Sequence, residues 1–136
     1  MSFSSARLLR LELPGDKFGE QGRRVIAVDY SVGAVNRASR RSRRSQLPAS
    51  FELVNLYDAR AALALGARLS REEPMVDLYA RFTLHALDHT GRENLLRLAS
   101  MALRRGGFLF LEFRTPRDRG RPHTFGEHQR HYLYPD

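Results

Sequence analysis

The sequence predicts an α/β fold of the Rossmann-like kind, a mainly parallel sheet with flanking helices, incomplete at the C-terminus. Three observations carry this. Strand-like apolar runs alternate with stretches of helical periodicity along the chain. The run "VIAVDYS" (25–31) is apolar on both faces and ends on an acid. No cysteine framework and no apolar run of the roughly 20 residues that span a bilayer places the chain in another class. A strand apolar on both faces belongs inside a parallel sheet, whose ligands bind beyond the carboxyl ends of the strands. Asp29 falls at that place.

The elements follow in order. "RLLRLEL" (7–13) reads as a first strand and "PGDKFGEQG" as a turn-rich stretch behind it. Residues 25–29 are the second strand. Ser31 is an N-cap, with Val32, Val35 and Ala38 at helical spacing behind it and a helix running to about Arg44. "FELVN" (51–55) is the third strand, followed by a helix from Ala59 to about Leu69, and "MVDLYA" (75–80) is the fourth. Thr90 and Glu93 stand in capping-box spacing ahead of Leu95, Ala99, Ala102 and Leu103. Arg104, Arg105 and Gly106 stop that helix, and "GFLFLEF" (107–113) is the fifth strand. The stretch from Thr115 to Asp136 reads as an irregular segment over the sheet edge.

At 136 residues with 42% hydrophobic content, the chain suffices for one domain with one core, over 1–136. Without cysteine there is no thiol catalysis and no thiolate-bound metal, and no metal site is expected. A cytoplasmic, soluble protein is the expectation. The formal charge of +8 comes almost wholly from arginine, since Lys17 is the only lysine. Arg37, Arg40, Arg41, Arg43 and Arg44 crowd the end of the first helix, where cations match the helix dipole. No aromatic residues interleave them as a stacking platform for nucleic acid requires, so nucleic acid is the less favoured partner.

An acid at the tip of the second strand suits the vicinal hydroxyls of a ribose, in a nicotinamide dinucleotide or in S-adenosylmethionine. Four segments go further. "VIAVDYSVGAVNRAS", "DLYARFTLHAL", "LLRLASMALRRGGFLFLEFRT" and "GEHQRHYL" resemble, in that order, class I S-adenosylmethionine-dependent methyltransferases of the bacterial small-molecule or surface-polymer type. The resemblance implies S-adenosylmethionine as cofactor and methyl transfer to a small-molecule or polymer acceptor. It implies cofactor contacts at Asp29, Tyr30, Asp58, Ala59 and Arg81, and catalysis by His85 with Arg81. Asp58 is equally an N-cap for the helix it precedes. Phe82 follows the fourth strand beside Arg81 and His85, where such enzymes face the methyl group and the substrate; Glu112 and Arg114 end the fifth strand at the same cleft, and read equally as a mutual surface pair. The resemblance breaks at residues 14–21, where the family's glycine-rich cofactor loop is missing, and at the C-terminus, where its closing strands are absent. The alternatives are a non-catalytic remnant or partner-binding module, a basic nucleic-acid-binding protein and, weaker than these, a nicotinamide dehydrogenase, whose fingerprint glycines are equally missing.

Overall fold

The computed structural model describes residues 7–10, 25–46, 48–72, 75–81 and 83–118. The expectations placed on residues 11–24, on Phe82 and on the tail beyond 118 lie outside the described residues. The described strands are β1 (Arg7–Arg10), β2 (Val25–Asp29), β3 (Ala49–Leu53), β4 (Val76–Arg81) and β5 (Leu109–Glu112). They form one sheet in the order β3-β2-β1-β4-β5, and every neighbouring pair is parallel. The α/β, Rossmann-like expectation holds. The path starts in the middle of the sheet, steps out through β2 to β3, and returns past β1 to β4 and β5. The direction therefore reverses between β1 and β4.

Right-handed crossovers place helices on opposite faces of such a sheet on either side of a reversal. Helix α1 (Val32–Arg44) packs on β3 and β2, while α2 (Ala59–Leu69) packs against α3 (His89–Ala102). The two strand faces differ accordingly. Ile26 and Val28 of β2 and Val76, Leu78 and Ala80 of β4 join Ala62, Leu65 and Leu69 of α2 and Leu95, Leu98, Ala99 and Ala102 of α3 in the core. Val25 and Ala27, pointing the other way, are buried as well. A Cβ on Gly66 would meet the Leu98 carbonyl oxygen at 2.8 Å, so the α2–α3 crossing is close enough to need glycine there.

Caps decide where the helices begin. Ser31 caps α1 as expected, its Oγ accepting from Ala34 N at 3.3 Å. Helix α3 corrects the sequence reading: Asp88, not Thr90, is its N-cap, accepting from Gly91 N at 3.0 Å. Aspartate is a stronger cap than threonine, and a start two residues earlier leaves Thr90 inside the first turn. Glu93 then pairs along the helix with His89 and Arg97. Arg41, Arg43 and Arg44 occupy the last turn of α1. Among the described residues, no helix is long and apolar enough to cross a membrane.

Strand β5 begins at Leu109 rather than at Gly107, because the two glycines before it are spent on the turn. Gly106 and Gly107 have φ of 123° and 104°, and a Cβ on Gly107 would lie 2.3 Å from the Val76 carbonyl oxygen. Buried Asp77 completes the turn, its Oδ1 accepting from Phe108 N at 2.8 Å. An acid within an apolar strand is thereby matched to an amide at the entry of the next strand.

Candidate cofactor-binding site

All strands run the same way, so their carboxyl ends form one edge. Asp29, Tyr30, Asp58, Ala59, Arg81, His85, Glu112 and Arg114 stand on that edge or just beyond it, and the edge divides into two halves about the β1–β4 reversal.

On the first half, β2 ends on Asp29 because its carboxylate turns the chain. Asp29 Oδ1 accepts from Ser31 N at 2.8 Å, fixing the corner from which α1 starts. That bond uses one oxygen, and Asp29 Oδ2 has no partner among the described residues. Tyr30, at the corner itself, is 74% exposed. Beyond β3, Asp58 caps α2: its Oδ1 accepts from Arg60 N at 3.0 Å and from Ala61 N at 3.2 Å. Ala59 is the first residue of that helix, and its half-buried side chain offers no polar group. The loops also meet: Tyr57 N donates to Asn55 Oδ1 at 3.0 Å, and Tyr57 Oη accepts from Asp88 N at 3.2 Å.

On the second half, Tyr79, Arg81 and Glu112 are joined through their side chains. Arg81, at the end of β4, donates from Nε to Glu112 Oε1 at 3.2 Å. Tyr79, two residues back on the same face, donates its hydroxyl to Glu112 Oε2 at 2.7 Å. The expected Glu112–Arg114 pair is therefore replaced by Glu112–Arg81, because Arg81 and Glu112 are register partners on adjacent strands, whereas β5 ends at Glu112 and Arg114 lies beyond it. His85 follows β4 in the next turn. It lies in the short 3₁₀ turn Leu84–Ala86, is 4% exposed, and its Nδ1 accepts from Arg114 N at 3.4 Å. As acceptor at Nδ1, the neutral ring carries its hydrogen on Nε2.

The register ties the two halves together. Ala27 pairs with Arg10, Arg10 with Tyr79, and Tyr79 with Phe110. Two residues further along, Asp29, Arg81 and Glu112 fall on one row and on the same face, the one that carries α1. Three strand steps of about 4.8 Å put the ends of β2 and β5 roughly 14 Å apart. Sequence reasoning placed Asp29 and Arg81 at the edge but missed Tyr79, because a tyrosine inside an apolar run reads as core.

No protein-family model matches the sequence. No curated protein matches it either. Solved structures do. The structure of gox2181 superposes with a TM-score of 0.61 at 14% identity, over 87% of this chain and 57% of that one. A variant of the actinorhodin polyketide ketoreductase, solved with NADPH, superposes with a TM-score of 0.56 at 15% identity, over the same shares, 87% and 57%. A short-chain dehydrogenase/reductase from Burkholderia xenovorans gives a TM-score of 0.48 at 20% identity, over 74% of this chain and 48% of that one. The chain thus spans a little over half the length of the first of these structures.

These matches correct the methyltransferase expectation. The fold is shared with a ketoreductase that holds NADPH, so S-adenosylmethionine as cofactor and methyl transfer as function are both set aside. The remnant and nucleic-acid alternatives offered beside them gain no support from these matches. The physical reason lies in what the resembling segments do. "VIAVD" and "DLYAR" are strands β2 and β4, "LHA" is the 3₁₀ turn, and the paired glycines are a turn required by positive φ. Those segments build a parallel sheet whatever ligand lies on it, and an acid at the tip of β2 suits any adenosine ribose.

Proposed function

We propose that this chain carries the dinucleotide-binding part of a nicotinamide-dependent oxidoreductase, with the dinucleotide lying along the carboxyl edge across the β1–β4 reversal. The observation that carries this reading is Asp29. Its Oδ1 is fixed by Ser31 N, and its second oxygen stands at the edge as an acceptor for the hydroxyls of the adenosine ribose. Tyr30 supplies an exposed aromatic ring beside it. Asp58 and Ala59 bound the same side of the edge through the first turn of α2. The residues present fit the adenosine end of such a ligand. A carboxylate in that position accepts from a ribose 2′-hydroxyl and repels a 2′-phosphate, so the chain is expected to prefer NAD⁺ to NADP⁺.

Calorimetric titration of the protein with NAD⁺ and with NADP⁺ tests the reading. The expected result is tighter binding of NAD⁺, weakened by about one to two decades in Asp29→Ala, the size of one hydrogen bond to a charged acceptor. Absence of binding by both dinucleotides, or an Asp29→Ala variant that binds NAD⁺ as the unaltered protein does, sinks it.

A further inference from the structure

The Tyr79–Arg81–Glu112 group is unexplained by the adenosine site, and its construction is specific. The carboxylate of Glu112 is gripped at both oxygens by different side chains, Tyr79 Oη on Oε2 at 2.7 Å and Arg81 Nε on Oε1 at 3.2 Å. A carboxylate has about four acceptor positions, so two contacts orient Glu112 without filling it. Its side chain is 44% accessible, which leaves an approach from solvent. Among the described residues, the titratable and charged groups bonded to it are Tyr79 and Arg81, both from β4. The row that carries Arg81 and Glu112 also carries Asp29, on the same face and on the other side of the reversal.

We infer that Glu112 is a general base for a substrate alcohol at the β4–β5 end of this edge, with Tyr79 and Arg81 as the residues that position its carboxylate. The inference rests on the dinucleotide reading, which sets one end of the ligand at Asp29 and its other end across the reversal. In the step assigned to Glu112, the alcohol O–H bond breaks and the proton passes to a carboxylate oxygen. An oxidised nicotinamide dinucleotide, when bound, would supply the acceptor for the carbinol hydride, so that the alcohol carbon would become a carbonyl carbon. A protonated Glu112 then returns its proton to water. A group that must accept a hydroxyl proton needs a fixed direction and a spare lone pair, and the pair of grips supplies the first while leaving the second.

Fluorine NMR with trifluoroethanol, an alcohol that reports its own binding, tests the assignment on the full chain with and without NAD⁺. The expected result is pH-dependent binding to the unaltered protein. Glu112→Gln should weaken it about tenfold or more and abolish the pH dependence, while NAD⁺ affinity by calorimetry stays within about twofold. Tyr79→Phe should weaken alcohol binding less and keep the pH dependence, as a positioning residue would. If Glu112→Gln fails to fold, Glu112→Asp keeps the charge but withdraws it by one methylene. That variant should bind trifluoroethanol more weakly with the pH dependence intact. The assignment is overturned if the unaltered protein binds no trifluoroethanol, if Glu112→Gln or Glu112→Asp binds it as the unaltered protein does, or if Glu112→Gln loses alcohol and NAD⁺ binding in equal measure, which marks a scaffold residue. Failure of the dinucleotide reading shows separately, in the NAD⁺ titration of the unaltered protein.

Discussion

The two halves of the carboxyl edge hold their carboxylates by different means. Around β2 and β3, Asp29 and Asp58 bind backbone amides two or three residues away, and each carboxylate marks the start of a helix. Around β4 and β5, Glu112 is held by side chains 31 and 33 residues distant, and Asp77 reaches an amide 31 residues on. The first half is an arrangement of local turns. The second exists only once the sheet has formed in the right register. Damage to the contacts that set this register, at the entry to β5, should therefore weaken the whole fold, and damage to the first half should stay local.

The largest effect is expected at the entry to β5. Gly107→Ala forces a side chain into φ of 104° and sets a Cβ 2.3 Å from the Val76 carbonyl oxygen, so β5 must move away from β4. A positive φ and an overpacked contact each cost about 1–3 kcal/mol, so the variant should lose about 2–6 kcal/mol in urea denaturation. A loss below about 1 kcal/mol would show that β5 shifts freely and that its register is not what holds the second half.

Next comes Asp77→Ala, which leaves the Phe108 amide without its acceptor beneath the same turn. A buried amide left unsatisfied costs about 1–3 kcal/mol, so this part-buried one should cost about 1 kcal/mol, and the midpoint of denaturation should fall while its slope stays constant. Asp58→Ala is the matching change in the first half. Loss of an N-cap costs about 1 kcal/mol, and hydrogen exchange should quicken at Arg60 and Ala61 but not in β4. Faster exchange throughout the sheet in Asp58→Ala would erase the contrast between the halves.

The same contrast explains what was legible in the sequence. Strand β2, the Ser31 cap, the extent of α1 and α2 and the alternation that gives the parallel sheet all follow from neighbours within a few residues. Where local signals competed, reading was harder: Asp88 and Thr90 each offer a cap to α3, and the stronger acceptor, two residues earlier, prevails. Tyr79 and Glu112 were not legible as partners, because their contact depends on a register between strands that no local pattern encodes. Asp77 gave a signal that went unused, since an acid inside an apolar strand must be paired with something. The resemblance to methyltransferases misled for a related reason. Its segments specify strands and a turn, and the choice of ligand lies in side chains that the sheet brings together afterwards.

The smallest stability effect is expected where the functional effect should be greatest. Arg81 and Glu112 are 43% and 44% accessible as side chains, so water screens their attraction and holding two flexible chains in one geometry costs entropy. A double-mutant cycle with Arg81→Ala and Glu112→Gln should give a coupling of about 0.2–1 kcal/mol in denaturation, falling as salt is added. A pair so weakly stabilising does not explain a glutamate gripped at both oxygens at the end of an apolar strand, whereas a role on the ligand does. A coupling above about 2 kcal/mol, insensitive to salt, would reverse that argument: the pair would then be part of what holds β4 to β5, and the second half would be structural throughout.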